Sequence, residues 1–319
     1  MSKLKKRWTR IVAANPAIKP IQHYDYYCFL WIAFYMQHRL SRWRIVWRQV
    51  EDEGEECILP LAVNTKRRRL RMLSYYGRMD YEDIISSTED TEHNRRLISK
   101  ALQPYEGYTI EAVHIAEDSR LYRTLGDKMT WKETCVAIDI SRGYEAWFEG
   151  LNKHQRQNVR TAYNRKEKEG FEVRLEVYDD HRPIPRGLWR RLQEIYEERG
   201  GDPGSRWHLW WKRQKNAFTH ILHHVEGHRI YVLLHGNEPV AYMAGLLHSG
   251  QSCYYVPRLS HNIAYNRYSP GILLICETIK QLCEEGIATL DLLLGDEPYK
   301  LAMGGKEFPL YALNWKIEN

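Results

Sequence analysis

Between Arg229 and Leu294 the apolar pattern changes period in an order that few folds accommodate. Arg229–His235 alternates as a strand, Gly236-Asn237-Glu238 is a turn, and Pro239–His248 alternates again. Ser249-Gly250 turns the chain into a third strand, Ser252–Val256. A helical period then runs over Ser269–Glu285, and Ala288–Leu294 is a nearly continuous apolar strand. Three meandering strands, a crossover helix and a buried strand require a mixed sheet with helices on its faces.

The N-terminal half has similar ingredients. A helix is predicted around Tyr24–His38, and the strands Arg44–Val50 and Cys57–Val63 flank the polar turn Glu51-Asp52-Glu53-Gly54-Glu55 as a hairpin. Thr65–Arg71 carries five basic residues in seven and leads into Met72–Tyr76; a helix near Thr91–Leu102 and strands at Thr109–Ile115 and Thr134–Ile140 follow. Tyr144–Lys168 is expected to be mainly helical, and Leu188, Trp189, Leu192, Ile195 and Tyr196 form the stripe of an amphipathic helix. Gly200-Gly201-Asp202-Pro203-Gly204 breaks the chain before a Trp-rich helix around Trp207–His223, and a last strand lies near Pro309–Lys316. A chain of 319 residues suits two domains better than one. The polar stretch Glu117–Thr130 is the expected boundary, giving domains 1–125 and 126–319; a cut after Ile140 is the alternative.

Composition narrows the compartment and the ligand. A hydrophobic fraction of 43% supports a real core. The net charge of +6 suits an anionic ligand without selecting one. The cysteines Cys28, Cys57, Cys135, Cys253, Cys276 and Cys283 show neither a C-x-x-C nor zinc-finger spacing, so reduced thiols in a cytoplasmic protein are expected. The most apolar early stretch, Tyr24–Met36, is too short to span a bilayer, and the basic start Met1–Arg7 reads as a solvated tail.

The most informative segment is Ser269-Pro270-Gly271-Ile272. Ser suits an N-cap, Pro suits the first helical position, and Gly leaves the backbone open to close approach. Gly286 supplies the left-handed stop at the far end. An open helix N-terminus directs N–H groups and a positive dipole end at whatever approaches, which suits a pyrophosphate. A well-capped core helix has the same signature. The next strand carries one ionisable residue, Asp291, among apolar neighbours, and runs into Gly295-Asp296-Glu297-Pro298-Tyr299-Lys300. A buried carboxylate is costly unless it is paired or functional. Ligand-handling groups gather at strand ends in α/β sheets.

These segments, in this order, resemble the CelD/BcsL-type branch of the GNAT acyltransferase superfamily, which is related to the FemAB/FemX transferases. Asn15-Pro16, Leu59-Pro60-Leu61 and the run from Tyr76 to Asp83 are similar to that family's first unit. Leu151–Arg160 resembles the basic helix that opens its second. The resemblance covers roughly residues 14–318 and implies two tandem GNAT-like α/β domains, each a mixed, mostly antiparallel sheet flanked by helices. It also implies acyl transfer to an amine or hydroxyl, commonly from acetyl-CoA or another acyl-CoA as cosubstrate with no resident cofactor. A small molecule or a cell-envelope or polysaccharide precursor is the expected acceptor.

On that basis Asp291 is the candidate base or acceptor-orienting carboxylate and Tyr299 the candidate acid. Ser269, Pro270, Gly271, Ile272 and Lys300 are candidates for holding the donor, and Asp80 and Asp83 for the acceptor. The phosphate-loop fingerprint of the superfamily is reduced here to Arg267-Tyr268-Ser269-Pro270-Gly271. FemX-like relatives take the acyl group from aminoacyl-tRNA, so tRNA is an alternative partner; DNA is not expected. A non-catalytic scaffold in polysaccharide assembly is the reading from outside enzymology.

Lys153, Arg156, Arg160, Arg165, Lys166 and Lys168 invite phosphate contacts, but Glu167 and Glu169 dilute them toward a solvated helix face. His220 and His224 have metal-ligand spacing without the Glu of a zincin motif, so no metal is expected. No G-x-S-x-G elbow or Walker loop is present.

Overall fold

The computed structural model describes residues 3–28, 42–73, 80–199, 222–248, 250 and 252–318. The chain divides into one unit of Met1–Cys135 with Phe308–Asn319, and a second of Val136–Glu307. The division thus falls after Cys135 rather than after residue 125, and the last residues return to the first unit. The reason is strand pairing: the final strand, β12 (Lys306–Lys316), pairs antiparallel with β5 (Thr109–Ala116) from Leu310↔Ala116 to Lys316↔Thr109.

In the first unit the strand order is β1-β2-β3-β5-β12, where β1 is Arg44–Asp52, β2 is Glu55–Asn64 and β3 is Arg69–Met72. A short β4 (Ile85–Ser86) also pairs with β2. The ladders β1–β2, β2–β3, β2–β4 and β5–β12 are antiparallel; β3–β5 is parallel, and its connection carries helix α2 (Thr91–Leu102). A parallel pair needs such a crossover. Asp90 starts α2 by accepting the His93 N–H at 2.7 Å, and Leu97, Ile98, Ala101 and Leu102 turn one face onto Leu59, Leu61 and Val63 of β2.

The expected N-terminal tail is instead helix α1 (Lys3–Ala14). Trp8 and Ile11, three residues apart, are fully buried while the basic residues face outward. The Trp8 indole donates to the Gln22 carbonyl at 2.9 Å and meets the Trp47 ring edge-on at 5.7 Å. Arg7 and Arg10 both pair with Glu56. The basic run conceals an amphipathic helix, because its lysines and arginines occupy the solvent side of Trp8 and Ile11.

The second unit repeats the scheme with the order β6-β11-β10-β9-β8-β7. Its strands are the end of β6 (Met129–Asp139), β7 (Arg174–Asp179), β8 (His228–His235), β9 (Glu238–His248), β10 (Cys253–His261) and β11 (Thr289–Leu294). The ladders β7–β8, β8–β9 and β9–β10 are antiparallel; β10–β11 is parallel and its crossover is helix α7 (Pro270–Glu284). The first unit also holds α3 (Arg120–Leu125); in the second, α4 (Tyr144–Gly150), α5 (Lys153–Lys168) and α6 (Arg186–Arg199) come before α7, and α8 (Pro298–Ala302) follows β11. Both units are therefore mixed α/β with mostly antiparallel sheets. The single helix expected over Tyr144–Lys168 is two, because Asn152 accepts the Gln155 N–H at 2.8 Å and starts α5 afresh.

Leu273, Leu274, Ile275, Cys276, Ile279 and Leu282 of α7 pack on Tyr231, Leu233, Met243, Tyr254, Leu290 and Leu292. Each full burial contributes roughly 1.5–3 kcal/mol. Gly286 ends α7 at φ 75°, with Ile287 N–H returning to the Leu282 carbonyl at 2.9 Å. The other face of β9 and β10 is covered by α6, whose Trp189, Leu192 and Ile195 are buried. The helices expected over Tyr24–His38 and Trp207–His223, and the run Met72–Tyr76, extend beyond the described residues; residues 24–28 are helical. All six cysteines are free thiols, four of them buried.

Trp8→Ala should destabilise the protein by about 3–5 kcal/mol, the usual cost of emptying a buried indole site. Equilibrium denaturation measures it, and a loss below 1 kcal/mol would restore the solvated-tail reading.

Candidate functional site

The sequence expectations ended β10 at Val256, yet the strand continues to His261. Pro257 explains the misreading, since proline in a strand is tolerated only at edges and bulges. Here the register with β9 shifts between Tyr255 and Arg258, so that Val256 and Pro257 together oppose Gly245. A Cβ on Gly245 would stand 2.1 Å from the Tyr255 carbonyl oxygen, so only glycine fits opposite the bulge.

The extra residue reverses the parity of the strand. Tyr254 and Val256 face the α7 core before the bulge, and Leu259 faces it afterwards. The pairing of β10 with β11 covers Cys253–Tyr255 only. Beyond it the two strands part, at the level where α7 begins.

At that level lies a cleft of about 290 Å³ walled by Leu259 and His261 of β10, Ser269, Pro270, Gly271, Ile272 and Ile275 of α7, Gln155 of α5, Asn266, and Tyr299, Ala302 and Met303 around α8. Ser269 does stand at the N-cap position, but in the left-handed region at φ 53°, and its side chain makes no capping bond. Its carbonyl accepts from Ile272 and Leu273. A Cβ on Gly271 would meet only the His261 ring, at 3.8 Å, so the helix start is open on that side. Gln155 donates to the Met303 sulfur at 2.9 Å, and the Trp147 indole donates to the Met303 carbonyl at 2.9 Å.

The cleft thus assembles Ser269, Pro270, Gly271, Ile272 and Tyr299 from among the residues singled out by sequence. Tyr299 is 37% exposed, with its neighbour Leu301 also open to solvent. Two others, Lys300 and Asp291, have different surroundings. The Lys300 ammonium is buried and donates to the carbonyls of Leu293, Leu294 and Gly295 at 3.3, 2.7 and 3.0 Å, with Glu297 at 2.9 Å. These bonds make it a clamp on the end of β11; phosphate neutralisation finds no support in them. Asp291 is 5% exposed and accepts the Leu293 N–H at 2.8 Å. Leu293 is left-handed at φ 58°, a conformation that costs a non-glycine residue roughly 1–2 kcal/mol. Asp291 and Lys300 therefore hold a bent strand end between them. Since Leu290 and Leu292 face α7, Asp291 faces the opposite side of the sheet.

In the first unit, Asp83 is fully occupied by the chain itself. Its carboxylate accepts from the backbone of Ile84, Arg120 and Leu121 and pairs with the Arg120 guanidinium at 3.1 Å. Burial pushes this carboxyl up, and Arg120 and the three N–H groups pull it back. That is the environment of a structural carboxylate anchoring the start of α3, so acceptor binding has no support at Asp83. Asp80 lies 3.7 Å from the His114 imidazole, whose other nitrogen is 2.8 Å from Glu133.

The basic face of α5 is largely tied down: Arg156 donates to the Glu149 carbonyl at 2.7 Å, Arg165 to the Arg267 carbonyl, and Arg160 stacks on Phe148. His220 lies outside the described residues, and the His224 ring packs against His223 at 3.8 Å. Among the described residues, Asp52, Glu53 and His93 form a group of metal-ligand type, but Arg96 and Lys100 already answer its carboxylates.

Residues 153–301, which supply every wall of the cleft except Ala302 and Met303, match the family described as acetyltransferase (GNAT) domain. A search of curated proteins finds no relative of this sequence. Among solved structures the chain is similar to FemX, with TM-score 0.60 at 11% identity over 99% of this chain and 97% of that one. It is also similar to the C-terminal domain (DUF2156) of a candidate lysylphosphatidylglycerol synthetase from Agrobacterium fabrum, with TM-score 0.59 at 12% identity over 97% and 90%. L-PGS from Bacillus licheniformis gives 0.56 at 15% over 91% and 92%. At such identities the likeness concerns the fold.

Lys300→Met leaves three carbonyls and Glu297 without their cation. It should destabilise the protein by about 2–4 kcal/mol in denaturant titrations. Unchanged stability with weaker donor binding would instead return Lys300 to the donor site.

Proposed function

We propose that the chain is a GNAT-type acyltransferase that moves an acyl group from acetyl-CoA or another acyl-CoA to an amine or hydroxyl, with a cell-envelope or polysaccharide precursor as acceptor. The observation that carries this reading is the cleft where the start of α7, the end of the β10–β11 ladder and Tyr299 converge. Pro270 has no N–H and those of Ile272 and Leu273 turn back to the Ser269 carbonyl, so the start of α7 offers a pyrophosphate the Gly271 N–H and the positive end of the helix dipole. The apolar residues Leu259, Ile272, Ile275, Ala302 and Met303 line a space at the small end of the range for such sites.

In the transfer, the acceptor nitrogen or oxygen attacks the thioester carbonyl, the new C–N or C–O bond forms, and the C–S bond breaks. The acceptor's proton passes to a base, and the leaving thiolate takes a proton from Tyr299, whose exposed ring stands at the cleft. Asp291 is proposed as the base or as the carboxylate that orients the acceptor, on the sheet face opposite the cleft. Asp291 is the last β11 residue in the ladder with β10, opposite Tyr255.

A second reading is a FemX-like transfer from aminoacyl-tRNA. Its support is the match to FemX over nearly the full length of both chains. The occupied arginines of α5 weigh against a phosphate-binding helix face there.

Calorimetric titration with acetyl-CoA, CoA and charged tRNA separates the readings: acetyl-CoA should bind and CoA should compete with it. Salt-sensitive binding of charged tRNA alone would replace the first reading with the second, and no binding of either would remove both. In the active protein Tyr299→Phe should lower kcat by about 10²–10⁴-fold with little change in donor affinity, as expected for loss of a general acid.

A further inference from the structure

Arg258 lies on the face of β10 opposite the cleft and is 5% exposed. Its guanidinium stacks 3.6 Å from the Tyr196 ring centre of α6, and one of its nitrogens donates to the Gln193 side-chain oxygen at 3.2 Å. No carboxylate among the described residues pairs with it. Arg120, just as buried, is answered by both Asp83 and Glu89. A buried cation left without a counter-charge is among the costliest arrangements a fold can hold.

Two further buried polar atoms beside it, the Ser260 hydroxyl and the Gln193 amide nitrogen, have no hydrogen-bond partner among the described residues, and the Tyr242 hydroxyl lies against the guanidinium itself. Ser260 and Tyr242 are cross-strand partners, and Ser260 stands two residues beyond Arg258 on the same face. Burial pushes the Tyr242 phenol up to about 12 against the opposing pull of Arg258, so it remains a protonated donor at neutral pH. The cluster therefore offers a planar cationic fork, an amide N–H₂ and two hydroxyls, but no anion.

From this cluster we infer that Arg258, Gln193, Tyr242 and Ser260 form a binding point for a carboxylate. One positive charge is neutralised by a monoanion, whereas a phosphate dianion would leave a negative charge buried in its place. The guanidinium fork also matches the two oxygens of a carboxylate. Resting on the acyl-transfer reading, this carboxylate belongs to the acceptor, which is then an amino-acid-like compound. Its nucleophile would lie toward Asp291, which pairs with Tyr255 on the same strand as Arg258.

The residues outside the described set contain a single acidic side chain, Asp202. An internal counter-ion to Arg258 would therefore have to be Asp202, and the experiment is built around that alternative. Wild-type protein, Arg258→Met, Tyr242→Phe and Asp202→Asn are melted in sodium chloride and in sodium formate or acetate at equal ionic strength. Carboxylate at ten times its Kd should raise the wild-type and Asp202→Asn Tm by about 2–4 °C over chloride. The shift should vanish in Arg258→Met and shrink in Tyr242→Phe, which keeps the shape of the site if the first variant does not fold.

Equal melting of the wild type in chloride and carboxylate overturns the proposal. A carboxylate shift confined to Asp202→Asn also overturns it, because Asp202 would then be the natural counter-ion. So does a shift that persists in folded Arg258→Met. No acyl donor is present in these melts, so their failure is separate from a failure to bind acetyl-CoA.

Discussion

One ammonium group determines where strand β11 stops, and the cleft is built outward from that point. Lys300 collects the carbonyls of Leu293, Leu294 and Gly295, while Asp291 takes the Leu293 N–H from the other side. Together they stabilise a left-handed leucine that no neighbouring strand would enforce. The turn that results carries the chain into α8, which sets Tyr299 on the rim and Met303 beneath Gln155. Gly305 completes the turn, since a Cβ there would stand 2.3 Å from a Val136 methyl and 2.7 Å from the Lys300 carbonyl oxygen.

A second constraint lies in β10. A helix start becomes a ligand site only when something keeps the adjacent sheet from closing over it. Here the parallel ladder ends at Tyr255, directly before the bulge, and β10 and β11 separate beside α7. The bulge depends on a glycine across the ladder and a proline within it, two residues that ordinarily weaken strands. In this place they shape the opening.

The elements with strong periodicity were legible from the sequence. Thr91–Leu102 and the helix from Pro270 emerged nearly residue for residue, because their apolar stripes are long and their ends carry Asp90 and Gly286. The cleft was legible in half. Ser269 to Ile272 and Tyr299 are contiguous with recognisable turns, whereas Leu259 and His261 were hidden behind Pro257, which reads as the end of a strand unless Gly245 is known to lie opposite. Gln155 stood inside the segment that carried the family resemblance, yet its contact with Met303 is one that only folding creates. Lys300 and Asp83 were identified as notable residues for sound reasons, but charge in an apolar setting serves structure as readily as chemistry. Which it serves is decided by donors and acceptors distant in sequence. Trp8 was lost among lysines because the basic count outweighed a spacing of three.

The bulge also gives β10 a reading frame. Upstream of Val256 one set of alternate residues faces α7; downstream the opposite set does, which is why Leu259 and His261 line the cleft while Arg258 and Ser260 face α6. The two sets are locked together, as in any strand. Losing a single residue at the bulge would not remove either group of side chains but exchange them, turning the guanidinium toward the apolar cleft and the leucine toward the polar cluster. Relatives that share this fold yet differ by one residue in this strand would then present inverted chemistry on its two faces, with every side chain still in place.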